Sequence, residues 1–297
     1  MRCVSCGSDM SVGIFDWHFV CKACEFECST LSPKINQHDG VDEFEREAAL
    51  RPIRENNFDL ILGWLMKEVP HTRNQGHKKL LDVGCAHGWF LEKAKEYYDI
   101  LGLEPDHFVA SRTQKRGLPV REGYFPDALS AEEKLDVIIF NDVLEHIPNV
   151  QKILEECRLH LEAGGVVVVN APDRRGGIYR LSKILARLGQ PGAFRRMWQY
   201  GLPSPHLYYF DKNSIDRLAI ASGFSIIAER ELPSIVTKGL LGRIHHTGNT
   251  SLVRSIFVAA GTWAFLPLVK ILRSDISVWV LQPIPAEEAA LKESLHK

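Results

Sequence analysis

Little in this sequence is extreme. Its 36 Lys+Arg against 37 Asp+Glu give a formal net charge of -1, too small for a protein that coats a polyanion over its whole surface. No uncharged apolar run reaches the roughly 20 residues that cross a bilayer. The longest, 255–269, has fifteen residues, includes Pro267, and lies between Arg254 and Lys270. The first ten residues hold one Arg and two Cys and lack the apolar stretch of a secretory leader. At 45% hydrophobic and 25% charged, the 297 residues also fall outside the disordered, collagen-like and disulfide-scaffold classes. What remains is a globular cytoplasmic protein of one large domain with an appendage, or of two domains.

The small net charge conceals a division. Residues 1–173 carry 19 basic and 29 acidic side chains, whereas residues 174–297 carry 17 and 8. Two stretches of the second part, 174–203 and 232–274, hold seven and five Lys+Arg and no acid. A basic half points to an anionic partner, with an evenly solvated face as the plain alternative.

Four of the seven cysteines form two pairs, Cys3-Val-Ser-Cys6 and Cys21-Lys-Ala-Cys24. Two residues between thiolates let one tight turn aim both sulfurs at one ion, and two such turns complete a tetrahedral Zn²⁺ site. Cys28 is the substitute ligand if the register differs. Short strands are expected within 11–20, where Ile14, Trp17 and Phe19 can shield the metal. With all four ligands supplied by protein, such a zinc is structural. The pattern resembles a zinc ribbon over residues 1–30. Residues 31–79 are expected to form a helical cover and linker, with Pro52 and Asn56-Asn57 dividing 42–69 into two helices.

From Leu80 short apolar runs alternate with amphipathic stretches, the rhythm of an α/β fold with a parallel sheet. Strands are expected at 80–83, 100–103, 119–121, 137–140, 166–170, 224–229 and 276–281, with helices at 89–97, 106–115, 150–161 and 211–221. Asp82-Val-Gly84-Cys-Ala86-His-Gly88 turns from strand to helix with glycines where backbone can approach a ligand. Glu104, about 20 residues further on at the end of the second strand, is placed to accept hydrogen bonds from a ribose diol. Together they indicate a nucleoside-containing cofactor.

Residues 80–91, 102–106 and 136–148 resemble the motifs of class I S-adenosylmethionine-dependent methyltransferases, and the resemblance runs from about 80 to 282. It implies a Rossmann-like seven-stranded sheet in the order 3-2-1-4-5-7-6 within a domain spanning 80–297, the last strand antiparallel. It further implies that Asp82, Gly84, Ala86 and Gly88 line the methionine end of the cofactor and that Glu104 holds the ribose. Pro105 and Gly123-Tyr124-Phe125 would flank the adenine, while Asn141 and Val143 would cover the methionine moiety. Ala86 departs from the family, which often has glycine there. The sequence Asn141-Asp-Val-Leu-Glu-His146 also lacks the Pro-Pro-aromatic signature of enzymes that methylate exocyclic base amines.

Methyl transfer from a sulfonium depends mainly on alignment, and a hydroxyl acceptor gains from a base. His206 and His146 are the candidates, each weighed against an ordinary structural role. In 174–203, Ile178, Leu181, Ile184, Leu185 and Leu188 share one helical face with Arg180, Lys183 and Arg187 interleaved, a pattern for a lid over the acceptor. The competing readings for the basic segments are peripheral contact with an anionic membrane and a nucleic-acid groove, the latter weakened by the lack of an aromatic-plus-basic strand motif. Arg174, Arg175, Arg195 and Arg196 are expected to face an anionic acceptor. The resulting expectation is methyl transfer to a small, sugar- or lipid-linked acceptor at a hydroxyl oxygen. The alternatives are an RNA-modifying methyltransferase, a sugar carbon-methyltransferase, and a cofactor-binding module without turnover.

Overall fold

The computed structural model describes residues 1–34, 43–68, 77–234, 272–285 and 288. The apolar stretch 255–269 and most of the basic segment 232–274 lie outside the described residues.

Seven strands form the central sheet. They are β4 (Lys79–Val83), β5 (Asp99–Glu104), β6 (Val120–Glu122), β7 (Leu135–Asn141), β8 (Leu161–Pro172), β10 (Phe224–Leu232) and β11 (Ile276–Pro283). Their spatial order is β10-β11-β8-β7-β4-β5-β6, the expected 3-2-1-4-5-7-6 arrangement read from the other edge. β11 runs antiparallel to both of its neighbours, β10 and β8. β7 reads Leu-Asp-Val-Ile-Ile-Phe-Asn with its first six residues buried, because a parallel strand covered on both faces needs apolar side chains at every position rather than at alternate ones. The covers include α2 (Trp89–Ala94), α3 (His107–Lys115), α4 (Val150–His160) and α7 (Lys212–Ala221). Chain direction across the sheet reverses between β4 and β7, and ligands of open α/β sheets bind beyond the carboxyl ends of strands at such a point.

One expectation fails along the cover. A single helix, α1 (Glu43–Glu68), replaces the two inferred, and Pro52 lies inside it. Downstream of the proline, Phe58, Ile61, Leu62, Trp64 and Leu65 are buried against Leu80, Trp89 and Phe90. That packing outweighs the local breaker.

The N-terminal strands β1 (Met10–Val12), β2 (His18–Cys21) and β3 (Glu27–Ser29) form a second small sheet. Its fourth strand is β9 (Tyr208–Tyr209), contributed by the large domain. Cys28 pairs with Tyr208 and Glu27 with Tyr209 in antiparallel register. Cys3, Cys21, Phe26 and Cys28 share one apolar core with Tyr208, Phe210, Ile215 and Leu218. The ribbon is thus no loose appendage.

The stretch expected to be a lid is fastened to that ribbon. It forms α5 (Gly177–Arg187) and α6 (Gly192–Met197); Phe194 of α6 and Trp198 just after it pack on Trp17, and Tyr179 of α5 packs on both. Beneath them Glu27, 1% exposed, accepts from Tyr179 Oη at 2.6 Å and from Lys183 Nζ at 2.6 Å, and pairs with His18 Nε2 at 2.9 Å. Burial alone would raise the Glu27 carboxyl, but His18, Lys183 and Tyr179 hold it down to about 2. Removing one member would strand buried charge. This staple ties α5 to the ribbon.

Candidate active site

The loop after β4 is shaped by residues with positive φ. Gly84 has φ +69°, and a Cβ there would stand 2.8 Å from Val143 Cγ2. Gly88 has the same φ, and its Cβ would meet Leu118 Cδ1 at 2.5 Å. Ala86 also holds φ at 45°. Its backbone N donates to Glu104 Oε2 at 2.9 Å, and its carbonyl accepts from Thr113 Oγ1 at 3.0 Å. The methyl group therefore carries the left-handed strain that glycine would relieve, of order 1 kcal/mol. Ala86→Gly should raise the thermal midpoint by a few degrees without loss of cofactor affinity; a drop in the midpoint would show that the Ala86 methyl makes compensating contacts.

Glu104 ends β5 with both oxygens turned toward backbone donors: Oε2 to Ala86 N and Oε1 to Asp106 N at 2.8 Å. It ties the loop after β4 to the cap of α3. Asp106 then caps α3 by accepting from Phe108 N and Val109 N. Asp82 is fully withdrawn from solvent. Burial raises its carboxyl to about 8 against an opposing hydrogen bond from Asn141 Nδ2 at 3.3 Å, and Glu104 raises it further. Beside it, Asn141 Oδ1 and Asn170 Oδ1 are buried without a hydrogen-bond partner, on residues paired in register between β7 and β8. Two orphaned carbonyls and a carboxylate fit the cationic methionine end of S-adenosylmethionine. Asn170 was not singled out from sequence, since its only signal is a polar residue closing an apolar strand.

The adenine side is less uniform. Pro105 is half-buried and Tyr124 is 54% exposed, whereas Phe125 turns inward against Phe140 and His160. Of Gly123-Tyr124-Phe125, the last is thus a core residue and leaves the first two at the surface edge.

Beyond Val143 the structure brings together two histidines that lie sixty residues apart. The rings of His146 and His206 have centroids 4.8 Å apart. His146 belongs to a short 3-10 turn, Leu144–His146, directly after Val143. Its Nδ1 lies 2.9 Å from the Pro205 carbonyl. His206 Nε2 faces Gln199 Nε2 at 2.8 Å, and its own carbonyl accepts from Ser29 Oγ of the ribbon at 2.7 Å. Glu145, 1% exposed, brings a carboxylate oxygen within 4.8 Å of a ring nitrogen of each. Burial raises its carboxyl well above the usual range and Asp142 adds to this, while Arg54 of α1 opposes. Sequence reasoning missed both Glu145 and Arg54, because only the fold sets α1 and the ribbon around this turn.

The four paired cysteines converge. Cys3 Sγ lies 3.6 Å from Cys24 Sγ, and Cys6 Sγ lies 3.5 Å from Cys21 Sγ. A tetrahedral zinc with sulfurs about 2.3 Å away separates them by roughly 3.8 Å, so the cluster fits that ion with little adjustment. Cys28 is no substitute. It packs near the Met1 and Met10 sulfurs, and burial pushes its thiol up to about 12.

The basic residues are only partly as expected. Arg174 pairs with Asp211 and Glu25, and Arg175 with Asp173 and Glu229. These two ion-paired guanidinium groups are structural rather than acceptor-facing. Arg195 lies over the rings of Phe15 and Tyr200, and Arg196 is exposed.

A family profile described as a methyltransferase domain matches residues 22–229. The chain belongs to this methyltransferase family. S-adenosylmethionine is the cofactor of these enzymes. The ubiquinone biosynthesis O-methyltransferase of Escherichia fergusonii is 26% identical over 166 residues, covering 50% of this chain and 67% of the relative. An uncharacterised protein of Methanocaldococcus jannaschii is 30% identical over 110 residues, covering 37% and 49%. Among solved structures, a methyltransferase of Haloferax volcanii in complex with the Trm112 methyltransferase activator superposes with a TM-score of 0.51. It is 10% identical and covers 82% of this chain and 95% of that one, which supports the fold alone. No helix among the described residues is long and apolar enough to cross a membrane.

Proposed function

We propose that this methyltransferase acts on a hydroxyl oxygen of a small, sugar- or lipid-linked acceptor held against Glu145, His146 and His206. The observation that carries the reading is the convergence of these three side chains one turn beyond Val143, which packs on Gly84 of the cofactor loop. The O-methyltransferase relatives support oxygen as the target atom.

S-adenosylmethionine supplies a methyl group bonded to a cationic sulfur. Glu104 would hold its ribose, the loop from Gly84 to Gly88 would follow its backbone-sized contour, and Asp82 with Asn141 would receive its ammonium. The rigid ribbon side keeps His206 in place, so the acceptor oxygen meets the methyl carbon along the breaking bond, where alignment gives most of the rate. His146 and His206 engage the acceptor hydroxyl and draw off its proton. The test is incubation with labelled cofactor and fractionated lipid, glycan, metabolite and RNA extracts. Label is expected as an alkali-stable methyl ether in a lipid, glycan or metabolite fraction. Nuclease-sensitive label would replace the reading with RNA methylation. Retained cofactor binding with no label anywhere would favour a module without turnover.

One observation favours delivery of the acceptor at an anionic membrane surface. α5 buries Tyr179, Ser182 and Ala186 and leaves Leu181 and Ile184 exposed, as is Leu188 directly after it, flanked by exposed Arg180 and Arg187. A shallow apolar face rimmed by cations suits such a surface. Sedimentation with vesicles rich in phosphatidylglycerol, lost on Leu181→Glu and Ile184→Glu, is expected; equal recovery with neutral vesicles would count against the charge argument.

Cofactor binding should also depend on pH. Asp82 titrates near 8 in the free protein, and a cation beside it favours the ionised form. Affinity should therefore rise with pH up to about 8, by at most about tenfold per unit, with release of a proton near neutrality. Titration calorimetry in buffers of different ionisation enthalpy would measure it. Proton release unchanged in Asp82→Asn would place the linkage elsewhere.

A further inference from the structure

Folding holds the Arg195 guanidinium between aromatic rings without pairing it to an acid among the described residues. We propose that Arg195 anchors a phosphate group of the acceptor, with Phe15 of the ribbon and Tyr200 presenting it; this rests on the proposed placing of the acceptor hydroxyl at His206.

Three observations carry it. First, Arg195 is exposed and keeps its hydrogen-bonding capacity. Arg174, Arg175 and Arg273 each commit theirs to carboxylates, whereas among the described residues no carboxylate pairs with Arg195. Second, rings hold the side chain. Its Cζ lies 5.1 Å from the ring centroid of Phe15 and 5.5 Å from that of Tyr200. A ring face attracts the charge but offers no oxygen, so the N–H donors stay available for a two-pronged bond to an anion. Those rings are themselves fixed. Phe15 stacks on Trp17 at 5.2 Å with 9° between the planes, and Trp17 lies 5.4 Å from Tyr200. Tyr200 N donates to the Arg195 carbonyl at 2.9 Å, and His18 N to that of Phe15 at 3.0 Å. A guanidinium restrained in this way loses less freedom on binding than one on a mobile chain. Third, the anchor joins the proposed acceptor site. Arg195 lies on α6 four residues before Gln199, whose Nε2 faces His206 Nε2 at 2.8 Å. The rings of Trp17, Trp198, Tyr209 and His206 follow one another at 6.0, 4.8 and 5.5 Å, so the ribbon and His206 share one aromatic frame.

Phosphate matches the charge here better than carboxylate does. Arg196, exposed beside Arg195 on α6, adds a second positive charge. A phosphate monoester carries about −1.5 to −2 near neutral pH and offers three strong acceptor oxygens. The aromatic frame sets this group several side chains away from the methylated hydroxyl. An acceptor with phosphate and hydroxyl on separate parts of the molecule is therefore predicted, as in a sugar phosphate or a lipid-linked sugar. The ribbon takes part in its recognition through Phe15, in the turn between β1 and β2.

The experiment uses full-length protein with inorganic pyrophosphate as the probe, followed by titration calorimetry in the presence of S-adenosylhomocysteine. Saturable binding at one site per chain is expected. It should weaken at least about tenfold in Arg195→Gln and about threefold in Phe15→Leu, with S-adenosylhomocysteine affinity unchanged. Arg195→Lys should recover part of the loss, because the charge is kept and the planar fork is not. With a labelled acceptor fraction in hand, Arg195→Gln should raise the acceptor KM at least about tenfold and leave kcat nearly unchanged, a split that general loss of structure would not give. Labelled product should be retained on an anion exchanger; recovery in the aqueous phase assigns a soluble phosphate, and recovery in the organic phase a lipid-linked one. No pyrophosphate binding, or equal binding in wild type and Arg195→Gln, would overturn the anchor. A neutral methyl ether made equally well by Arg195→Gln would overturn it while leaving the proposed function intact. Arg195-dependent pyrophosphate binding with label only in nuclease-sensitive RNA would do the reverse.

Discussion

Replacing Cys21 with serine should reduce methyl transfer by at least about 100-fold while leaving S-adenosylmethionine affinity within about threefold. Serine is a poor zinc ligand, and a four-cysteine site is worth on the order of 10 kcal/mol of folding free energy in small modules. Losing it releases β3, and β3 pairs with β9 and, through Ser29 and Leu207, reaches the His206 segment. The same release undoes the Glu27 staple that fastens α5. An acceptor misplaced by about 1 Å costs about 100-fold in an alignment-driven reaction. The residues assigned to the cofactor, Asp82 on β4, Gly84 directly after it and Glu104 on β5, lie toward the other end of the strand order from β10, so their geometry should persist. Calorimetry with S-adenosylhomocysteine and a turnover assay on the same preparation would separate the two. Full turnover in Cys21→Ser would show that the ribbon does not support the acceptor wall.

Glu104→Ala should weaken S-adenosylmethionine binding by about 100-fold or more. A hydrogen bond to a charged group contributes about 1.5–3 kcal/mol, and the carboxylate is assigned two ribose hydroxyls. It also accepts from Ala86 N and Asp106 N, so the alanine variant leaves two backbone donors unpaired and frees the strained Ala86 loop. Glu104→Gln keeps one acceptor oxygen and should lose nearer tenfold. Binding of S-adenosylhomocysteine by calorimetry, with circular dichroism as the control for folding, is the measurement. A loss under threefold for alanine would remove Glu104 from the ribose.

The parts of this protein visible in sequence are those whose physics is local. The turn from Asp82 to Gly88 needs particular residues because two glycines adopt left-handed backbone where a Cβ would collide with Val143 or Leu118. The cysteine cluster is legible because two cysteines with two residues between them define a turn before any tertiary contact exists. The central strands β7 and β8 are recognisable as apolar runs, and the strand order followed from the resemblance. Pro52 misled because its effect is local whereas the burial of Ile61 and Leu65 is not. Arg174 and Arg175 misled for the opposite reason: charge can be counted along a chain, but its partners Asp211 and Glu229 appear only on folding.

The even charge balance and absent long apolar run placed this chain among globular proteins, and its motifs determined the family, its cofactor and the sheet, and marked the four cysteines that the fold gathers into one cluster. Tertiary structure alone decided that the ribbon completes its sheet with Tyr208–Tyr209, that α5 is stapled through Glu27, and that Glu145, His146 and His206 meet. Cofactor recognition is written in short segments because one strand–loop–helix unit makes most of it. The proposed acceptor site is assembled from the ribbon, α1, the turn after β7 and the segment before β9, whose spacing along the chain carries no trace of their meeting.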